Sequence, residues 1–263
     1  MTPTSIGEAF ALRRARGQAA LVPYVTAGHP EAGVTPRLLR AVAEAGADVI
    51  ELGIPFSDPL ADGPTIQRSS FQALTQGATV ARALEWLADF RATHATPVVL
   101  FTYLNPVLRY GPEAFLRDAA AAGAQGLLVT DLPAGADPTL EGAIQRSSLD
   151  LIRLLAPTTP AARIPEVARG GSGFLYYISR MGVTGAREEL RATLADEVAA
   201  VRRSVPLPVA VGFGISTPEQ AAAVAAVADG VVVGSALIQA LDVGGVDVGA
   251  AFVASLRRGM DAR

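Results

Sequence analysis

The chain has 263 residues, 50% of them hydrophobic, and a formal net charge of −3 with a sequence pI near 5.5. That length suits one α/β core, the acidic balance without a basic run argues against a nucleic-acid surface, and no unbroken apolar span of about 20 residues marks a membrane helix. With no Cys, and with all 22 basic residues being Arg, thiolate chemistry, Cys-held metals and Schiff bases to Lys are excluded for this chain. The two His, His29 and His94, lie far apart without a metal-ligand spacing.

Residues 6–16 place Ile6, Phe10 and Leu12 among charges and read as a short preliminary helix. A first strand is expected at 20–26, ending in Gly28, His29 and Pro30 with His29 exposed in the turn, before a helix over 34–45. The second strand is the apolar run Val49, Ile50, Leu52 and Ile54, interrupted by Glu51. A carboxylate inside a strand buried on both faces must be neutral, paired or turned into a cavity. Gly53 and Pro55 end this strand, and a loop with Asp58, Pro59, Asp62, Gly63 and Pro64 leads to helices over 65–75 and 80–93. The latter carries Trp86 as a packing residue.

A third strand is expected at 97–102, leading through Tyr103, Asn105, Pro106 and Tyr110 into a helix over 112–122. A strand at 126–129 runs into Asp131 and Pro133; a helix over 138–147, a strand at 150–155 and a helix over 161–169 follow. The sixth strand covers 174–178, and a Gly- and Thr-bearing loop occupies 179–186 before a helix over 188–203. The remaining elements are strands at 209–211 and 231–233, each followed by a helix, over 217–227 and 248–258. The segments at 43–52, 120–129 and 225–234 repeat one order of helix end, small-residue turn and buried strand. Eight apolar strands alternating with helices imply one domain over 1–263, an eight-stranded parallel (β/α)8 barrel of the TIM type with an extra N-terminal helix. An open doubly wound sheet ranks lower, because no G-x-G-x-x-G follows the first strand.

In a barrel, functional groups gather where strands run into their following helices, and Glu51, Asp62, Tyr103, Asp131, Tyr176 and Thr184 all stand there. Each has a plainer reading as well. Asp58, Asp62 and Asp131 are also ordinary turn formers, Glu51 could be a satisfied structural carboxylate, and Tyr103 and Tyr176 could be rim aromatics. Gly214, Gly234 and Ser235 end the last two strands, where such barrels bind phosphate with backbone N–H groups and a helix N-terminus.

The string ELGIPFSDPLADGPTIQ at 51–67, together with YVTAGHP at 24–30 and VVVGSA at 231–236, closely resembles the tryptophan synthase alpha subunit family, over nearly the whole chain. The resemblance implies a β/α barrel that cleaves indole-3-glycerol phosphate to indole and glyceraldehyde 3-phosphate. It implies Glu51 and Asp62 as catalytic carboxylates, and Gly185, Gly214, Gly234 and Ser235 as phosphate contacts. Tyr24, Phe101, Tyr103, Leu128 and Tyr176 match the indole pocket, and Thr184 matches a loop residue that meets the catalytic Asp on closure. His29 departs from the pattern, since many relatives carry Asp there.

The chemistry needs an acid to protonate indole C3, a base for the glycerol hydroxyl, and a carboxylate to receive the indole N–H; Glu51 suits the first two roles and Asp62 the third. The resemblance further implies a pyridoxal-phosphate-dependent beta subunit as partner in an α2β2 heterotetramer. This chain holds no cofactor itself, since it has no Lys to bind one. The expected contact surface is the mouth rim: the 57–64 loop, with Asp58 and Pro59 at its tip, and the 103–110 segment with Asn105, Pro106 and Arg109. With no basic region followed by an apolar core at the start of the chain, cytoplasm is the expected location. Two rivals share some of these features: another phosphate-binding barrel enzyme acting on a sugar phosphate, and a non-catalytic barrel that serves as a regulatory subunit.

Overall fold

Short, largely buried runs rich in Val, Leu and Ile form the strands of a parallel sheet that curls round on itself. The computed structural model describes residues 5–179, 194–212 and 214–262. Helix α1 (Ile6–Ala15) precedes β1 (Ala20–Thr26), α2 (Thr35–Glu44), β2 (Ile50–Gly53), α3 (Pro64–Thr75) and α4 (Val80–Arg91). Next come β3 (Val98–Thr102), α5 (Leu104–Tyr110), α6 (Pro112–Ala121), β4 (Gly126–Val129) and α7 (Pro138–Arg146), then β5 (Asp150–Leu151), β6 (Arg153–Leu155) and α8 (Ile164–Val167). The described chain continues through β7 (Leu175–Ile178), α9 (Leu194–Ser204), β8 (Val209–Gly212), α10 (Pro218–Ala225), β9 (Gly230–Val233) and α11 (Ser235–Asp261).

All strand pairs are parallel, in the order β5-β4-β3-β2-β1-β9-β8-β7-β6. Strands β5 and β6 are one predicted strand interrupted at Ile152: its first part pairs with β4 and its second with β7, so it joins the two ends of the sheet. That handover closes the expected eight-stranded barrel.

Two layers of apolar residues result. Inward-facing Val22, Val49, Val99, Leu128, Ile152, Phe174, Ala210 and Val232 fill the barrel, while the outward-facing residues pack under the helices. Helix α1 plugs the end of the barrel where the strands begin. Ser5 caps it, its Oγ accepting the Glu8 N–H at 3.2 Å while Glu8 Oε2 accepts the Ser5 N–H at 2.9 Å. Ile6 and Phe10 enter the interior, where Phe10 stacks on Phe174 with ring centroids 5.3 Å apart. Gly126 and Gly230 leave room for this plug, since a Cβ would come within 2.8 Å of Ile6 Cδ1 and of Phe10 Cε1 respectively.

The structure differs from the expectations in four places. The 104–110 segment is a helix rather than a connecting stretch; Pro106 is tolerated because it sits in the first turn, where an N–H has no intrahelical partner. The 161–169 helix shrinks to a 3-10 turn and α8. The last helix, expected over 248–258, begins instead at Ser235, directly after β9, and is kinked at Gly244 and Gly245. Although 235–261 is apolar enough to qualify by composition as a membrane helix, it is broken at Gly244 and Gly245 and packs on α2, α10 and β1. His29, expected in an exposed turn, is 1% exposed, enclosed by α3 and α11. Position in the sequence marked the turn; only packing decided that the turn faces inward.

Candidate active site

Strand periodicity sets the site. On β1, β2 and β3 the register pairs Tyr24 with Glu51 and Gly53 with Phe101, so the Tyr24, Glu51 and Phe101 side chains share the barrel interior. The Tyr24 and Phe101 rings meet edge to face at 5.3 Å. Phe101, Leu154 and Tyr176 pack on the interior cluster that holds the fully buried Leu128. Leu154 is the wall residue that the sequence reading missed; its alternation with inward-facing Ile152 was the available signal. Two glycines make the pocket possible: a Cβ at Gly53 would overlap the Tyr24 hydroxyl, and one at Gly212 the Tyr176 hydroxyl.

Glu51 is 1% exposed and its Oε1 has no hydrogen-bond partner. Burial first, and the nearby Asp62 charge second, push its pKa up to about 8. A buried acid with one unpaired oxygen facing other pocket groups is suited to give a proton rather than to hold the fold together. A satisfied structural carboxylate would have a partner for that oxygen, and no group among the described residues supplies one.

Asp62 is carried by the loop between β2 and α3. Ser70 of α3 fixes the start of that loop, accepting the Phe56 N–H at 2.8 Å and donating to the Phe56 carbonyl at 2.9 Å. Gln67 donates to the Asp62 carbonyl at 2.9 Å. Just after β3, the Tyr103 hydroxyl donates to Asp62 Oδ2 at 2.9 Å and accepts the Ala61 N–H at 3.0 Å, while its ring lies 5.3 Å from Phe56. Tyr103 is thus buried against the loop, holding it, rather than standing free at the rim. Burial raises Asp62 to about 6, and the Tyr103 hydrogen bond opposes that rise. Two neighbouring carboxyls are therefore poised differently near neutral pH, Glu51 protonated and Asp62 ionised.

Asp131 is more than a turn former: its Oδ1 accepts the Leu104 N–H at 2.6 Å, at the open start of α5. At the rim, Asp58, Leu60, Asn105 and Arg109 are exposed, but Pro59 and Pro106 are buried, which corrects the expected tip. Among the phosphate candidates, Gly214 has φ +72° in the turn after β8. Gly234 precedes α11 with no side-chain cap, beside Tyr24 and Ile66, and Ser235 is exposed at the helix start. Thr184 and Gly185 lie outside the described residues. No group of three or more His, Cys, Asp or Glu suited to a metal occurs among the described residues.

Comparison with known proteins places this geometry in a family. The sequence model described as "Tryptophan synthase alpha chain" matches residues 10–254. The tryptophan synthase alpha chain of Citrifermentans bemidjiense is 53% identical over 234 residues, covering 89% of this chain and 88% of that one. Mycobacterium tuberculosis tryptophan synthase superposes with a TM-score of 0.90 at 38% identity, with 98% of each chain covered. The alpha subunit from Legionella pneumophila gives a TM-score of 0.90 at 36% identity, again with 98% of each chain covered.

Proposed function

The chain belongs to the tryptophan synthase alpha chain family, the lyases that cleave indole-3-glycerol phosphate to indole and glyceraldehyde 3-phosphate in tryptophan biosynthesis, and on that premise we propose which of its residues carry the reaction. The observation that carries the assignment is the buried Glu51 carboxyl, whose Oε1 has no partner among the described residues, near an Asp62 held by Tyr103. Glu51, raised to about 8, holds a proton at neutral pH and gives it to indole C3. The ring nitrogen becomes positively charged, and ionised Asp62 accepts its N–H and stabilises that charge. Glu51, now a carboxylate, takes the proton of the adjacent glycerol hydroxyl. The O–H pair becomes the C=O bond of the aldehyde, the C–C bond to indole C3 breaks, and its electrons restore the aromatic ring. One proton leaves Glu51 and one returns.

Tyr24, Phe101, Leu128, Leu154 and Tyr176 form the apolar wall for the indole. Gly214, Gly234, Ser235 and, from the resemblance, Gly185 receive the phosphate, which the uncapped N-terminus of α11 attracts without any Lys. Thr184 is assigned the contact with Asp62 in a closed state. A beta subunit binds the mouth rim around Asp58, Leu60 and Arg109 in an α2β2 assembly and receives the indole. Pyridoxal phosphate belongs to that subunit, because this chain has no Lys to hold it. The cytoplasm is the expected setting for such a biosynthetic pair.

The test is direct. Purified protein incubated with indole-3-glycerol phosphate should release indole, and Glu51→Gln and Asp62→Asn should each cut the rate by about 10²- to 10⁴-fold while the protein stays folded. Near-normal turnover by Glu51→Gln would remove Glu51 from the mechanism.

A further inference from the structure

His29 is nearly inaccessible to solvent, yet its Nε2 lies 3.0 Å from Asp242 Oδ1, out of line for a hydrogen bond. Arg68 of α3 approaches the other oxygen of the same carboxylate at 3.5 Å. Asp242 sits at the end of the first part of α11, just before the Gly244 and Gly245 break, where the helix dipole disfavours an anion. Arg68 is the charge that compensates it, while His29, whose pKa burial lowers, seats its imidazole against the same carboxylate.

The turn carrying His29 is bound to α3 as well. Gln72 and Gln76 both donate to the Pro30 carbonyl, at 2.9 and 3.2 Å. A second rung joins the two helices near their starts, where Gln239 of α11 donates to Thr65 of α3 at 3.5 Å. Helix α3 begins two residues after Asp62, and α11 begins at Ser235. The two helices that start at the mouth, one after the catalytic loop and one at the phosphate candidates, are therefore cross-braced, with the first strand's turn wedged at the far end.

We propose that His29 is a positioning residue: through Asp242 and Arg68 it locks the phosphate-facing helix to the helix that follows the Asp62 loop, so that the remote phosphate group helps set the reacting geometry. The proposal rests on the assignment of the α11 start to phosphate. Binding energy from a non-reacting part of the substrate is useful to catalysis only if a stiff connection carries it to the reacting centre. His29 completes that connection from inside the protein, bridging the first strand's turn to α11.

The experiment measures inhibition of indole release by inorganic phosphate, alongside kcat and KM, for His29→Leu, His29→Gln and Asp242→Asn. The Leu and Asn variants should weaken phosphate inhibition by about 5- to 10-fold, the low end of coupling between sites, and raise KM more than they lower kcat. His29→Gln, which keeps a polar side chain able to reach the Asp242 carboxylate, should stay within about twofold of the parent. Asp242 is partly exposed, so its Asn variant stands in if His29→Leu does not fold. Gly234→Asp, which sets a carboxylate at the helix start, separates the two claims. If it abolishes phosphate inhibition while the folded clamp variants behave as the parent, the clamp is wrong and the phosphate site stands. If Gly234→Asp also changes nothing, the phosphate site is misplaced and the clamp falls with it.

Discussion

Tyr103→Phe removes one oxygen and two hydrogen bonds, those to Asp62 Oδ2 and from the Ala61 N–H, while leaving the ring against Phe56. The Ala61 N–H is on an exposed residue and finds water instead. Asp62 has no such replacement on its buried side. A hydrogen bond to a charged group contributes about 1.5–3 kcal/mol, and about 1.4 kcal/mol corresponds to one pKa unit. Because Asp62 is half-buried, solvent screening favours the lower end of that range. Its pKa should move from about 6 towards roughly 7, and the ionised fraction at pH 7 should fall from about nine-tenths to about one half. The sign follows from the charge: losing a donor disfavours the carboxylate, so activity is lost on the acid side and returns as pH rises. Glu51 must keep its proton, which it loses near 8, so the active window narrows from below. The assay is kcat/KM for indole release across pH 5–9. The acid limb should shift upward by about one unit, with a loss of about twofold at pH 7. An unmoved acid limb would show that Tyr103 does not set the charge state of Asp62.

Other perturbations follow from the same geometry. The Glu51 pKa rises from 4.5 unfolded to about 8 folded, so the folded state loses stability as pH climbs through that interval. Glu51→Gln should therefore gain stability over the parent from pH 5 to 8, by up to about 1.4 kcal/mol per unit, and a constant difference across urea melts would refute this. Glu141 and Arg153 form a buried ion pair between α7 and β6, so Glu141→Leu leaves a buried, unpaired guanidinium and should cost about 3–5 kcal/mol in the same melts. A cost below about 1 kcal/mol would mean that water reaches Arg153. Asp58→Ala, at the exposed rim, should weaken beta-subunit binding in sedimentation while sparing indole formation by the isolated chain. Unchanged association would move the interface elsewhere.

Much of this protein was legible in its amino acids because the controlling forces are local or strongly patterned. Buried parallel strands must be apolar, so Val98–Thr102 or Gly230–Val233 stand out wherever they occur, and Glu51 was conspicuous because charge inside such a run is costly. The spacing of acids, prolines and glycines from Glu51 to Gln67 was long enough to mark both carboxylates. What the chain order could not provide was the meeting of distant groups. Tyr103 follows the third strand and Asp62 the second, and only the register of β2 on β3, with the loop folded back over it, makes one hold the other. His29 read as an exposed turn because a Gly-His-Pro sequence describes backbone shape and says nothing of what packs on it; the carboxylate that meets it is more than two hundred residues away. Gly53 read as a strand end, yet its lack of a side chain, like that of Gly212, matters because a tyrosine from the neighbouring strand leans across each. Sequence determined which residues must be buried and which could carry chemistry, since those are properties of the side chains themselves. Tertiary structure decided which of them touch, because contact depends on barrel closure and register, which arise only when all the strands pair.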